Sequence, residues 1–482
     1  MSDDLGTRAV RGVAWLGGGQ LLRQGIGFLT TITLTRLLAP DDFGLFAMTF
    51  VAVEFAQLVT NFGFGAAIVQ RQVTSSQVLN TCFWLNILIS AVISVLMLAG
   101  APAIGAYFGR VELEGLMAPL ALNVAISAAL VVPQAILTMR LQFRQIILAQ
   151  LVGSVVAAVV VLSAAAAGLG YWSLALQPLV GNAVTCAVMM VFCRWRPSWQ
   201  FDFSAVRGMM DFSGFVLVGS IVSFVGRSMP IFIIGRMLGS SSLALYGLAS
   251  GITGTIIYQV SSVIVRVLFP TLSIIKDDPP RLRAAWARAT AGIAAVALPV
   301  MAGITATAAD FVVIVLGAQW ADAAAPLRWL CISMAFQSVL TTSGTVLLAR
   351  GQARLGFVLA SVSAGAYALA LWLGAQHSLE AAAAGYTVAS ILVNVATTWF
   401  ACRSARIPFL PLMAELLPWA FAATLAAACM ALVVHALPGW TPVPRLLLAA
   451  AAGTLVYVAL VWLVARRRAL ALITDIASRF KR

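Results

Sequence analysis

Apolar residues run along this chain in long blocks separated by short polar connections. A helix needs roughly 20 apolar residues to cross the hydrocarbon of a bilayer. Fourteen blocks meet that length, at about 10–38, 43–69, 78–101, 116–138, 146–167, 171–193, 210–238, 243–268, 290–316, 325–349, 356–375, 380–401, 412–436 and 445–465. The pattern predicts an all-α polytopic membrane protein. The first two blocks meet at Leu38-Ala39-Pro40-Asp41-Asp42-Phe43-Gly44 and carry polar residues in mid-block. Gln20, Arg23 and Gln24 interrupt the first, and Glu54, Gln57 and Asn61 share one helical face of the second.

Nearly 200 residues later the pattern returns. Thr35-Arg36-Leu37-Leu38 aligns with Gly235-Arg236-Met237-Leu238, Leu45-Phe46 with Leu245-Tyr246, and Arg23 falls one turn from the position matching Arg227. The register points to two copies of one membrane unit: a six-helix lobe at 1–195, a second at 207–402, and an extra helix pair with a basic tail at 403–482. The linker from Arg194 to Gly208, with Trp195, Trp199 and Phe201, is expected in the membrane interface. Pro279-Pro280-Arg281-Leu282 opens a stretch with Leu282 and Trp286 on one side, read either as an inner-surface amphipathic helix or as a solvated linker.

Composition agrees: 62% of the 482 residues are apolar and 10% charged, against about 25% charged in a soluble protein. The net charge of +14 comes from arginines scattered over many short connections, which is the positive-inside pattern and not a nucleic-acid stripe. Arg71, Arg140, Arg144, Arg194, Arg196, Arg207, Lys276, Arg281, Arg283, Arg288, Arg350, Arg354, Arg403 and Arg406 fall on one side, together with the basic residues of both ends. Only Arg110 and Arg445 lie in connections on the other. Both termini are therefore expected in the cytoplasm. No cleavable signal is expected, because the first apolar block is too long for one.

The six cysteines sit singly in apolar segments, and His377 and His435 lie far apart. Neither a metal site, nor a catalytic centre, nor a bound cofactor is expected from them.

Four arginines remain inside predicted spans: Arg23, Arg227, Arg266 and Arg328. An arginine at the bilayer centre costs about 2.5–3.5 kcal/mol on the insertion scale, so each should face protein, water or an anion. One reading is a cationic cavity between two lobes that takes an anionic substrate, with Arg23, Arg227 and Arg266 on its wall and Gln20, Gln24, Gln57 and Asn61 beside them. The other is structural, Arg23 pairing with Glu54 and the outlying arginines snorkelling to the interface. Arginine surplus over mid-span acids favours the cavity, and the planar guanidinium suits phosphate. Glu54 is a candidate proton or sodium site, or else a fixed counter-ion to Arg23.

Several stretches together are similar to a known family. Leu34-Thr35-Arg36-Leu37-Leu38-Ala39-Pro40 with Phe43-Gly44-Leu45, and Asn61-Phe62-Gly63-Phe64-Gly65-Ala66-Ala67-Ile68-Val69-Gln70-Arg71, resemble motifs of Wzx-type polysaccharide flippases. So do Phe83-Trp84-Leu85-Asn86, Arg266-Val267-Leu268-Phe269-Pro270 running to Asp277-Asp278, and Gly317-Ala318-Gln319-Trp320, and the set is similar to the colanic-acid type of exopolysaccharide exporter. The resemblance implies the multidrug/oligosaccharidyl-lipid/polysaccharide (MOP) exporter fold, with two pseudo-symmetric six-helix lobes. It implies a substrate of undecaprenyl-pyrophosphate-linked oligosaccharide, flipped across the bacterial inner membrane for exopolysaccharide or lipopolysaccharide synthesis. A polysaccharide polymerase and co-polymerase would be partners, and H+ or Na+ coupling a means of drive. Two rival readings are a cation-coupled multidrug exporter of the same fold, which calls for an acidic cavity, and a membrane polymerase or glycosyltransferase, which calls for a sizeable outer loop or a carboxylate pair.

Overall fold

The computed structural model describes residues 2–60, 64–70, 72 and 75–464; side chains are not described at 2–14, 16, 66, 203–219, 222–223, 256–263, 265–267 and 464. Every element among the described residues is helical. Lipid offers no partner for backbone N–H and C=O groups, so an apolar chain embedded in it satisfies them internally by coiling.

The chain divides into two compact units, Met1–Ala244 and Leu245–Arg482. The first contains α1 (Ser2–Leu37), α2 (Pro40–Thr60), α3 (Phe64–Gln70), α4 (Ser76–Phe108), α5 (Glu112–Met139), α6 (Phe143–Ala166) and α7 (Tyr171–Cys193). A long helix, α8 (Phe203–Ile274), runs across the division. The second unit adds α9 (Pro279–Ala306), α10 (Ala308–Val315), a 3-10 turn at Ala318–Ala323, α11 (Ala324–Leu340) and α12 (Thr342–Ala349). It ends with α13 (Ala353–Ala375), α14 (Leu379–Ala405), α15 (Phe409–Ala414), α16 (Leu417–Ala436) and α17 (Pro442–Val464).

Twelve helices among the described residues are long and apolar enough to cross a membrane, two fewer than the fourteen expected. The blocks predicted at 210–238 and 243–268 are not separated by a loop. They form α8, two helices that meet directly across a kink within its 72 residues. The helix breaks at Gly239 (φ 84°, ψ 177°), a conformation open to glycine, and one candidate span, Phe224–Thr255, straddles the break. The first predicted block is helical within α1 but is not among the twelve.

The α1–α2 corner follows from its sequence. Pro40 has no N–H to continue a helix and sits well at the start of a new one. Ala39 N–H donates to the Asp42 carboxylate (3.0 Å), and Asp41 and Asp42 suit the positive end of α2. Asp41 also binds Arg110 (2.6 and 3.1 Å) and accepts a hydrogen bond from Ser240. Hydrogen bonding to Asp41, reinforced by Glu112, holds the Arg110 guanidinium above its ordinary value. One turn along α2, Gly44 packs so closely on α8 that a Cβ there would strike the Ser240 carbonyl. The other arginine of the predicted outer connections, Arg445, forms a fork-like pair with Asp310, which is 4% exposed.

Within the first unit, α4, α5, α6 and α7 pack as a bundle with α1 laid on α6 and α2 on α5. Its core at one end gathers Cys82, Phe83, Val132, Ile136, Met189 and Cys193. In contrast, Leu88, Val92, Val95 and Leu96 of α4 are exposed, as a lipid-facing surface requires. The linker after α7 is strapped to α4. Ser198 exchanges hydrogen bonds with Asn80, Trp84 Nε1 donates to the Ser198 carbonyl, Asp202 N–H donates to Thr81 Oγ1, and Trp199 stacks on Trp84 with centroids 4.0 Å apart.

In the second unit α9 packs on α11 and α16, and α14 on α11 and α13. The inner-surface helix expected at Pro279 is instead the first two turns of α9. Asp278 caps it by accepting from Arg281 N–H, and Leu282 and Trp286 are fully buried against α12. Two large apolar side chains one turn apart gain more by docking on protein than by lying in the headgroup region. All six cysteines are free, and four of them are buried.

Candidate functional site

A polar cavity of about 450 Å³ lies inside the first unit. Five helices line it, with residues three, four or seven apart, the spacings that put them on one face. From α1 come Arg23, Gly27 and Thr30, and from α2 Phe50 and Gln57. The α5 helix contributes Leu130 and Gln134, α6 contributes Gln150, Ser154 and Ala157, and α7 contributes Gln177, Gly181, Asn182 and Thr185. Small residues at Gly27, Ala157 and Gly181 leave the room that amide and hydroxyl groups then line.

Arg23 is the cation of this wall. Its Nε and Nη2 both donate to Gln20 Oε1 (3.3 and 3.2 Å), one turn back on α1. No ion pair joins it to Glu54, which is exposed on α2 and does not line the cavity. Among the described residues the guanidinium has no carboxylate partner. Its remaining donors are open to an anion, and a planar fork takes two phosphate oxygens at once.

Of the residues singled out by sequence, Arg23 and Gln57 share this cavity and Gln20 steadies Arg23. Gln24 is half-buried on α1 and not part of the lining. Arg227 is exposed on α8, also outside it. Asn61 and the side chain of Arg266 lie outside the described residues.

Sequence reasoning missed Gln134, Gln150, Gln177 and Asn182. Each is a neutral amide in an apolar span, and a search led by charge passes over it. The signal was there, because an amide inside a membrane helix is costly unless a partner or water meets it. Asn182 has such support: its Nδ2 donates to Asn123 Oδ1 (2.9 Å) and Ser127 Oγ (3.0 Å).

The second unit holds a larger cavity, about 720 Å³, walled almost wholly by alanine, leucine, methionine and other apolar residues of α9, α11 and α16. The two units thus differ in chemistry although the sequence pattern repeats. No group of three or more metal-ligating side chains occurs among the described residues.

Residues 33–325 match the family described as "Polysaccharide biosynthesis protein". The chain is 25% identical to the lipopolysaccharide biosynthesis protein WzxC of Escherichia coli (strain K12), over 81% of this chain and 79% of that protein. It is 26% identical to the succinoglycan biosynthesis transport protein ExoT of Rhizobium meliloti (strain 1021), over 83% and 81%. Among solved structures, the lipid II flippase MurJ in an inward closed conformation superposes with a TM-score of 0.72 at 12% identity, covering 94% of this chain and 99% of that one. An inward-facing multidrug resistance MATE transporter of the MOP superfamily gives 0.60 at 14% identity, covering 82% and 98%. These likenesses establish the fold expected from the sequence motifs. With its apolar spans, its MurJ- and MATE-like architecture and a match over more than half its length, the chain is a multi-pass membrane protein belonging to the polysaccharide biosynthesis protein family.

Proposed function

We propose that the protein is a flippase that carries undecaprenyl-pyrophosphate-linked oligosaccharide repeat units across the bacterial inner membrane, for exopolysaccharide or lipopolysaccharide synthesis. The observation that carries the reading is an arginine without a carboxylate partner in a cavity otherwise lined by neutral amides and hydroxyls. Arg23 would hold the pyrophosphate, with Arg227 and Arg266 as further cations on its route. The prenyl tail stays in lipid. The lobes at 1–195 and 207–402 work by alternating access, with the helix pair of 403–482 outside the repeat. No covalent bond is made or broken, so the protein acts as a transporter and not an enzyme. Both termini face the cytoplasm, following the arginine bias, and a polymerase with its co-polymerase takes up the product.

The cavity disfavours the multidrug alternative, since its lining includes no carboxylate to meet an organic cation. Deleting the gene should make lipid-linked repeat units accumulate on the inner leaflet, with surface polysaccharide lost and restored by the intact gene. Normal export in the deletion strain, with no accumulated carrier, would remove the proposal.

Glu54 is proposed as the coupling site for H+ or Na+, because it stands apart from Arg23 and has no ion-pair partner among the described residues. Glu54→Gln should flatten the dependence of transport on an imposed ion gradient while substrate binding persists. A gradient dependence unchanged in vesicles carrying the variant would return coupling to another residue.

A further inference from the structure

The linker strapped to α4 builds another cavity, whose chemistry is unlike that of the polar one. Trp199 lies nearly parallel to Trp84 (14° between planes), and the hydrogen bonds of Ser198 and Asp202 to α4 hold the strap in place. The groove between them is about 320 Å³. Thr81, Trp84, Leu88 and Ala91 line it from α4, at the spacing of one helical face, and Trp199 and Phe201 line it from the strap. Leu88, Trp199 and Phe201 are exposed.

The dimensions and surroundings of the groove suit a lipid chain. From Thr81 to Ala91 the helix rises about 15 Å, which is the hydrocarbon depth of one leaflet in a bilayer roughly 30 Å thick. Val95, one turn beyond Ala91, is exposed as well, so the groove opens onto the lipid-facing surface of α4. An apolar slot preformed at this depth gains dispersion contacts when an acyl chain fills it.

The strap also carries charge. Arg194 and Arg196 are exposed, and among the described residues neither has an ion-pair partner. The dipole of α7 accounts for a cation at its C-cap, Arg194. It does not account for Arg196, which stands outside the helix. Two open guanidinium groups followed by the rings of Trp199 and Phe201 repeat the order of a phospholipid, from phosphate through the interface to hydrocarbon.

We propose that this groove binds one anionic diacyl phospholipid of the arginine-rich leaflet, with an acyl chain along α4 and the headgroup phosphate on Arg194 and Arg196. Zwitterionic lipid fits the same slot but gains less from the arginines, because its headgroup carries a cation of its own. The site is separate from the Arg23 cavity and does not depend on what the protein transports. Bound lipid would steady the chain that leads into α8.

The test uses the full chain purified in detergent and two lipids with identical acyl chains, phosphatidylglycerol and phosphatidylcholine. Native mass spectrometry counts the lipid retained. One phosphatidylglycerol should bind about tenfold more tightly than phosphatidylcholine, the effect of two arginines near one anionic headgroup. Arg194→Gln combined with Arg196→Gln should bring the two lipids level. Unchanged phosphatidylcholine binding in that variant shows that it is folded. Ala91→Phe, at an exposed position, should fill the groove and weaken both lipids while thermal unfolding in lipid-free detergent stays the same. A phosphatidylglycerol preference that survives loss of both arginines, or one absent from the unaltered protein, overturns the proposal. So does full binding of both lipids by Ala91→Phe. Undecaprenyl phosphate that displaces phosphatidylglycerol from the unaltered protein at equal concentration would overturn a phospholipid as the occupant.

Discussion

Arg23→Ala is expected to bring polysaccharide export to near background while the protein still inserts at normal abundance. One charge-assisted contact is worth about 1.5–3 kcal/mol, which corresponds to roughly ten- to a hundredfold in binding. Arg23→Lys should recover part of the activity, because a point charge survives while the two-pronged geometry does not. The local structure sharpens the comparison. Arg23 is held by Gln20 and not by Glu54, so Gln20→Leu should cost less than loss of the charge itself. A purely structural role, in which Arg23 serves only to bind Gln20, predicts that Gln20→Leu costs as much as Arg23→Ala. Surface polysaccharide measured at matched protein levels decides the matter, and equal losses in the two variants would take Arg23 out of the substrate site.

The largest effect on stability is expected at Trp286. Its side chain is fully buried, packed with Leu282, Val346 and Leu347, and its Nε1 donates to Thr342 Oγ1 (2.9 Å). Trp286→Ala opens a large cavity and leaves that hydroxyl without its donor, a loss of roughly 3–5 kcal/mol. Trp199 provides the control: it is 75% exposed, and its removal deletes a stacking contact at the surface. Thermal unfolding in detergent should show a clear drop for Trp286→Ala and a small one for Trp199→Ala. Equal shifts would mean that the start of α9 is not docked as described.

Much of the fold was legible because lipid leaves an apolar chain few options. Block length gave the helices, and Pro40 gave the first corner. Other features depend on contacts that periodicity does not contain. Leu282 and Trp286 mark an apolar face, but sequence alone cannot tell whether that face meets lipid or protein. The site was half legible for a similar reason. Arg23 stands out by its charge, whereas Gln134, Gln150, Gln177 and Asn182 gain meaning only when three helices bring them to one cavity. Arg227 falls one turn from the position matching Arg23 along the repeat, yet it does not line that cavity, because register sets position along a helix and not the neighbours it meets.

The contact at Gly44 bears on how this protein can change over time. Every missense change at that codon adds at least a Cβ, and a Cβ there meets a main-chain carbonyl, that of Ser240. Chemistry is irrelevant to the outcome, so alanine fares little better than aspartate. Nor can a compensating substitution at Ser240 relieve the clash, since the obstructing atom belongs to whatever residue occupies that position. Variation can reach this crossing only by moving a helix, which requires several coordinated replacements. The α2–α8 contact is therefore a point where descent by single steps is blocked, while the amide-lined cavity, with its adaptable side chains, leaves specificity free to drift.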